Sequence, residues 1–327
     1  MLIRSFRTIQ SINILTLVLV GFLLRIVPAI KGMTLPMEQY NEPLSSLLFE
    51  VLNLDAMNYT LNVFVTGFLV FIQAMLLNQI VNRYTIFFKS SYLPALMYII
   101  IMNSITVFAT LSPQLFCNFL LLIILDKIFS LYKTYKAMAT TFDLGMLFAL
   151  CSLLYFPYIL LTLITWLGLM FFRPFNWREW FCGLLGLFIP YFFLFIHFYW
   201  KDDIEHFYTL FQPLNQITSM DIYISNKDFY TLIPLLIAFI FSANKLRESF
   251  FKNIIQVRKT YQLLFVLIIL SILSFYIKGY AHPAHFMMLS IPMAIYLSYY
   301  FLVGKRAWVY ESLAYAMLIN VLLFQIV

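Results

Sequence analysis

The chain has 327 residues, of which 63% are apolar and only 11% are charged, whereas soluble domains carry about 25% charged residues. With a mean hydropathy of +0.89, its apolar side chains must face lipid or one another nearly everywhere. This composition excludes soluble enzymes, nucleic-acid-binding modules and disordered tails. The net charge of +7 is typical of basic cytoplasmic loops that meet anionic headgroups, so nucleic acid is not an expected partner.

Apolar runs of nearly the length of a membrane helix, about 20 residues, follow one another along the chain. They lie at about 12–30, 59–82, 92–111, 114–131, 143–157, 158–172, 181–199, 229–243, 260–277, 286–303 and 310–327. No run alternates with the two-residue period of an outer-membrane strand. We therefore predict an all-α bundle of about 11 spans (nine to eleven), forming a single integral-membrane domain over residues 1–327 without a soluble domain.

The runs at 143–157 and 158–172 are short and meet at Phe156-Pro157. Because proline breaks a helix and short runs cross a bilayer poorly, they are either two short spans or a re-entrant hairpin. Both alternatives return the chain to the same side of the membrane.

The loops between these runs differ in charge. With the N-terminus inside, fifteen basic residues fall on the cytoplasmic side and four on the other, as the positive-inside rule requires. Nine of the acidic residues fall outside. We therefore predict a multi-pass protein of the bacterial inner (cytoplasmic) membrane, with the N-terminus inside and the C-terminus outside.

Two outside loops are large, at 31–58 and 200–228, and the first holds a short amphipathic segment, Leu44–Leu54, that is predicted to lie along the interface. The first loop also carries Glu38 and Glu42, spaced four residues apart. A carboxylate beside the membrane is a suitable general base toward an acceptor hydroxyl, so these are the candidate catalytic residues. The alternative is that they are solvated loop charges.

The last outside loop gathers Lys278, His282 and His285 within eight residues. One cation and two imidazoles at the membrane surface suit a lipid phosphate, and Arg25, near the outside end of the first span, is a fourth candidate for this role. Arg25 alternatively extends to the surface or pairs with Glu38 or Glu42. The HxxH spacing lacks a third ligand and contains a proline, so no metal site is predicted; an ordinary polar turn is the alternative.

Inside the spans, Asn62, Thr66 and Gln73 fall on one helical face, and Asn103, Thr106 and Thr110 fall on another. These stripes predict interhelical hydrogen bonds, with a substrate pathway as the alternative. On the cytoplasmic side, Asp143 reads as a helix N-cap.

The segment Arg173-Pro-Phe-Asn-Trp177-Arg178-Glu179-Trp180 combines basic and aromatic residues that suit the headgroup level. We predict a structural elbow in which Glu179 pairs with Arg173 or Arg178. Docking of a protein partner is the alternative role.

The strings FDLGMLFALCSLLYFPYILL, FFRPFNWREW and GLLGLFIPYFF resemble a family of uncharacterised polytopic inner-membrane proteins of Bacteroidota, over about residues 60 to 195. This resemblance implies a bacterial inner membrane and assigns no site residue.

The predicted architecture is also similar to the GT-C superfamily of membrane glycosyltransferases, which use polyprenyl-phosphate-linked donors. The shared features are a cytoplasmic N-terminus, an acidic first outside loop with a short helix, and many spans. The resemblance implies that Glu38 or Glu42 is catalytic, although the loop has no Asp-Asp or Glu-x-Asp pair.

Three functions are compatible with these observations. The first is a GT-C-like transferase of envelope biogenesis at the outer face of the membrane, with a polyprenyl-phosphate lipid as substrate and no other cofactor. The second is a non-catalytic membrane subunit that scaffolds an envelope or secretion assembly through a protein partner. The third is a transporter or lipid flippase, for which internal repeats and midplane charges are not evident.

Overall fold

The computed structural model describes residues 2–32, 42–51, 57–134, 136–211, 226–277 and 283–326, and all regular structure in these ranges is helical. The α-helices are α1 (Leu2–Phe6), α2 (Ser11–Lys31), α3 (Pro43–Val51), α4 (Tyr59–Arg83), α5 (Leu93–Ile101), α6 (Pro113–Ser130), α7 (Met138–Leu154), α8 (Leu163–Phe172), α9 (Trp177–Trp200), α10 (Ile204–Thr209), α11 (Asn226–Ser249), α12 (Ile255–Leu273), α13 (Ser290–Val303) and α14 (Ala307–Ile326). Short 3₁₀ helices occupy Thr106–Ala109, Phe156–Thr162, Ser274–Ile277 and Pro283–Leu289.

The predicted all-α membrane class is confirmed. Within the described ranges, seven helical stretches are long and apolar enough to cross a membrane, and three shorter apolar ones, Met138–Leu154, Phe156–Phe172 and Ala307–Leu323, accompany them. The chain is therefore a multi-pass membrane protein.

The prediction of one continuous span at 92–111 is wrong. Helix α5 ends at Ile101, a turn and a 3₁₀ helix follow, and α6 begins at Pro113. The nine residues of α5 rise only about 14 Å, and all nine are buried, so this segment lies inside the protein. Because the helix ends before Asn103, the polar stripe predicted from Asn103 to Thr110 does not exist as one helical face.

The segment from α7 to α8 forms a helical hairpin. Its break is at Tyr155, whose backbone is extended (φ −152°, ψ 107°), and Pro157 lies in the first turn of the following 3₁₀ helix. The 17 residues of α7 rise about 25 Å. At the opposite end of the hairpin, the Arg173 guanidinium donates to the carbonyl of Thr134, so both of its ends meet, as both sequence alternatives required.

Helices α7 and α9 pack at unusually close range through glycine. A Cβ atom at Gly145 would overlap the carbonyl oxygen of Gly183, and one at Gly186 would overlap the carbonyl oxygen of Phe142. Small residues of this kind allow membrane helices to approach backbone to backbone. Only four residues of α9 are buried, among them Gly183 and Gly186. Most of the surface of α9 is therefore not covered by the rest of the described protein.

Ion pairs and hydrogen bonds tie several loops together at one end of the bundle, which we call the basic end. Arg83 pairs with Asp126 at 3.1 Å and Lys127 with Asp143 at 2.8 Å. Asp143 is therefore an ion-pair partner, and the N-cap prediction is wrong because α7 already begins at Met138. Tyr84 donates to the carbonyl of Asp126, and its partial burial, then the Asp126 charge, raises its pKa.

The terminal helices are attached at the same end. The Arg7 guanidinium donates to the carbonyls of Phe301 and Gly304, both at 2.8 Å, and lies 4.0 Å from the Tyr310 ring centroid. The Tyr92 amide donates to the carbonyl of Phe6. The basic end thus includes the N-terminus and the loops before α5 and α14.

Candidate functional site

Glu42 lies immediately before α3, at the end of the bundle opposite the basic end. Its side chain is only 7% exposed, and its Oε1 atom lies 3.5 Å from the backbone nitrogen of Phe156, which donates to it. Phe156 opens a 3₁₀ helix, and a helix N-terminus favours a negative charge. The structure therefore holds the carboxylate against the break between α7 and the 3₁₀ helix.

His285 is buried on the other side of the same break. Its Nδ1 atom lies 3.1 Å from the Tyr155 hydroxyl, and its Nε2 atom lies 3.3 Å from the carbonyl of Ser271 and 3.2 Å from the Ser274 hydroxyl. Because a carbonyl oxygen only accepts, the contact with Ser271 places a proton on Nε2. In the neutral tautomer with that proton, Nδ1 accepts from the Tyr155 hydroxyl.

Tyr158 packs edge-on against Tyr155, with ring centroids 6.3 Å apart, and has its own hydrogen bonds in the core. Its hydroxyl donates to Asn118 Oδ1 at 3.1 Å, and the Asn118 amide donates to the carbonyl of Met287 at 2.9 Å. We call Glu42, Tyr155, Phe156, Tyr158 and His285 the Tyr155 junction.

The junction joins the first predicted outside loop, which carries Glu42, to the last one, which carries His285. The residues between them, Tyr155, Phe156 and Tyr158, were not among the candidate site residues. The signal that was available is the Tyr-Phe-Pro-Tyr string at residues 155–158, which marks a helix break between two apolar runs.

An apolar groove of about 760 Å³ adjoins the junction. Its lining is Ile159, Leu184, Leu185, Leu187, Phe188, Tyr191, Phe192, Phe195, Phe207 and Phe211. The Phe156 ring contacts Phe211 edge-on at a centroid distance of 6.1 Å, so the residue that donates to Glu42 also contacts the groove wall. The Tyr191 hydroxyl is hydrogen-bonded to Ser152 at 2.7 Å, which leaves an aromatic, apolar channel along α9.

Arg25 points into the bundle and is 2% exposed. Its guanidinium donates to the carbonyls of Val63 and Ala109, at 3.2 and 2.9 Å, and to that of Phe108 at 3.4 Å. Two of these carbonyls end the 3₁₀ helix Thr106–Ala109, where the helix dipole favours a cation. The alternative that Arg25 extends to the surface is therefore wrong, because its guanidinium is buried and donates to carbonyl groups inside the protein.

The Arg173 segment is an ordered elbow. Arg173 pairs with Glu179 at 2.9 Å, with both side chains largely buried, which confirms one of the two predicted pairings. Asn176 caps α9 by accepting from the amide of Arg178, while Trp177 is exposed. The capped helix start fixes the turn between α8 and α9.

The polar stripe on α4 also has a structural role. Asn62 Oδ1 accepts from the amide of Leu111 at 2.8 Å, and Gln73 donates to the carbonyl of Leu115 and accepts from the Tyr98 hydroxyl. These bonds join α4 to α5, to α6 and to the segment between them, so the predicted interhelical bonds are confirmed for Asn62 and Gln73, whereas the Thr66 hydroxyl donates to the carbonyl of Asn62 within α4.

Glu38, Lys278 and His282 lie outside the described residues. Within the described ranges, no group of three or more His, Cys, Asp or Glu side chains is arranged to hold a metal ion.

Comparisons with protein-family models, with curated proteins and with solved structures give no match. The resemblances to a Bacteroidota family and to the GT-C superfamily therefore stay predictions, and the multi-pass helical membrane architecture is the identification that the chain supports.

Proposed function

We propose that this protein is a GT-C-like transferase that moves a sugar from a polyprenyl-phosphate-linked donor to an acceptor hydroxyl. The observation that supports this proposal is Glu42, a buried carboxylate held at the Tyr155 junction beside an apolar groove. Lipid-linked chemistry requires a fixed base next to an apolar channel, and the junction offers both.

In the proposed step, Glu42 accepts the proton of the acceptor hydroxyl while the acceptor oxygen attacks the anomeric carbon of the donor sugar. The bond from that carbon to the phosphate oxygen breaks, and the polyprenyl phosphate leaves with the electron pair. The ordered contact with the Phe156 amide orients the carboxylate. The proposed location is the outer face of a bacterial inner membrane, since basic residues concentrate in the loops assigned to the opposite side.

The experiment uses Glu42→Gln in purified full-length protein in lipid nanodiscs. The probe is undecaprenyl phosphate linked to radiolabelled glucose, and the readout is transfer of label to a lipid extract or its release to water. We expect the substitution to lower the rate by about 100-fold or more, since general bases contribute about 10²–10⁴-fold.

Glu311→Gln is the matched control. Glu311 is also 7% exposed and also accepts backbone amides, those of Ile3 and Arg4, but it lies at the basic end. It should retain the rate. Wild-type protein without transfer or release above empty nanodiscs would contradict the proposal, as would equal rates for both variants.

A second candidate function, a non-catalytic subunit of an envelope or secretion assembly, is favoured by the elbow. Phe175 and Trp177 are 75% and 64% exposed on a rigid turn, and exposed aromatic residues suit a partner interface. Purification in mild detergent tests this function: a protein retained at fixed ratio by the wild type, and lost from the Phe175→Ser, Trp177→Ser double variant, would support it. Recovery of monomer alone would contradict it.

A further inference from the structure

A second cavity, of about 370 Å³, lies between α2 and α4, away from the groove along α9. Its walls include Gly21 and Phe22 on α2, Phe64 and Gly67 on α4, and Asn103. Phe22 and Phe64 stack at a centroid distance of 5.3 Å. Phe22 and Phe68 are about half exposed or more, so the cavity opens on the lipid-facing side of the protein.

Arg25 also lines this cavity. A guanidinium has five N–H donors. Both donors on Nη1 are directed to carbonyls, those of Val63 and Ala109, and one on Nη2 makes the longer contact with Phe108. The Nε–H and the second Nη2–H together form the side-on edge that binds a planar carboxylate through two parallel hydrogen bonds.

Gly67 leaves the space that the Nε–Nη2 edge of Arg25 needs. A Cβ atom at position 67 would lie 2.8 Å from Arg25 Cδ and 3.4 Å from Nε, so any side chain there would displace the arginine. Gly21 differs, because its Cβ would meet only Ile99 at an ordinary 3.7 Å. The absence of a side chain at Gly67 leaves space for the Arg25 side chain beside α4, and the absence of one at Gly21 widens the cavity next to the guanidinium.

Charge favours a ligand with a single negative charge. Among the described residues that line the cavity, Arg25 is the only charged one, so the described part of the cavity carries one positive charge. In a low-dielectric site a single cation neutralises a monoanion, whereas a phosphate monoester, with a charge of about −1.5 to −2, would leave an excess negative charge. The small volume suits one hydrocarbon chain.

We propose that this cavity binds a free fatty acid from the bilayer, with its carboxylate on the Nε–Nη2 edge of Arg25 and its chain along Phe22 and Phe64. Arg25 lies six residues before the end of α2 at Lys31, about 9 Å below it. A membrane fatty acid reaches this depth by a modest displacement along the lipid-facing side. The site is independent of the transferase function proposed for Glu42.

The test is native mass spectrometry of the full chain titrated with ¹³C-labelled oleate. Gly21→Leu adds a side chain to the cavity wall, where its Cβ would be in ordinary contact with Ile99, and Leu19→Phe, at an exposed position of the same helix outside the cavity, is its matched control. We expect Gly21→Leu to weaken oleate binding roughly tenfold or more and Leu19→Phe to leave it unchanged. Arg25→Gln should weaken binding similarly, and its folding is checked separately by thermal denaturation.

Two competitors identify the head group. Methyl oleate keeps the chain but loses the charge, so it should not displace labelled oleate, and oleyl phosphate should compete more weakly than oleate itself. Equal binding by wild type and Gly21→Leu, displacement by methyl oleate, or tighter binding of oleyl phosphate would each overturn the proposal. None of these outcomes depends on transferase activity.

Discussion

Buried polar side chains at the Tyr155 junction each have a specific partner, and the Nδ1 atom of His285 lies 3.1 Å from the Tyr155 hydroxyl. Replacing Tyr155 with Phe leaves the ring in place and removes the donor to Nδ1. An imidazole acceptor buried without its donor costs about 1–3 kcal/mol in proteins generally, and membrane proteins tend to the lower part of that range.

We therefore expect Tyr155→Phe to lower the free energy of unfolding by about 1 kcal/mol, measured by denaturation in mixed micelles. Tyr276→Phe removes a hydroxyl at a position that is 66% exposed and should change stability by less than about 0.5 kcal/mol. In a double-mutant cycle with His285→Ala, the loss at Tyr155 should disappear. If Tyr155→Phe lowers the free energy of unfolding equally in the His285→Ala background, the Tyr155 hydroxyl stabilises the protein through a partner other than His285.

Among the site residues, those whose partners are side chains close in sequence were the predictable ones. The pairing of Glu179 with Arg173 is local, across one turn, and the sequence analysis included it. Arg25 was not predictable, because its partners are carbonyls of residues 63, 108 and 109. A backbone carbonyl has no signature in sequence, so the carbonyl partners of Arg25 could not be predicted from it.

Element packing depends on glycine where α7 and α9 approach. Any side chain at Gly145 or Gly186 meets backbone atoms of the other helix, whereas a Cβ at Gly183 has ordinary contacts of 3.7 Å or more. Because backbone atoms cannot move aside as a flexible side chain can, the helices must separate to accommodate alanine at the first two positions.

We expect Gly145→Ala and Gly186→Ala each to destabilise the protein by about 1–3 kcal/mol. Gly183→Ala should be neutral or stabilising, since alanine favours a helix by up to about 1 kcal/mol over glycine. Thermal denaturation followed by size-exclusion chromatography separates the three variants. Equal behaviour of all three would mean that helix propensity outweighs packing at this interface.

Helix existence was predictable from apolar runs, and helix continuity was not. Residues 92–111 are uniformly apolar enough to be read as one span, yet the helix ends at Ile101 and the next begins at Pro113. Pro113 lies in the first turn of α6, where proline is well tolerated. Two hydrogen bonds accompany the earlier end: the Asn103 side chain donates to the carbonyl of Ile99, four residues before it, and the Asn103 carbonyl accepts from Gln325 in α14.

At the scale of the whole molecule, the bundle has two chemically different ends. The basic end collects the Arg7, Arg83, Lys127 and Arg173 contacts, and the opposite end holds the Tyr155 junction. Loop charge alone predicts that Arg7, Arg83 and Arg173 lie on one side of the membrane, whereas Lys127 falls inside the apolar run at 114–131. Loop charge is a property of composition, so it was readable without knowing which helices touch.

Thiol labelling of single cysteine variants measures which end of the bundle faces the cytoplasm. Phe175 and Trp308 are exposed near the basic end, whereas Trp200 is 85% exposed at the end of α9, which starts at the elbow. Because basic loops stay in the cytoplasm, we expect a membrane-impermeant maleimide to label Trp200→Cys in intact spheroplasts. Phe175→Cys and Trp308→Cys should react only after permeabilisation.

The background for this labelling is Cys182→Ser, since Cys117 and Cys151 are buried and Cys182 is partly accessible. The reversed pattern would put the basic end outside and move the Tyr155 junction to the cytoplasmic face. Glu42 would then face cytoplasmic rather than outer-face donors, so the labelling result also decides on which side of the membrane the proposed transfer has to be assayed.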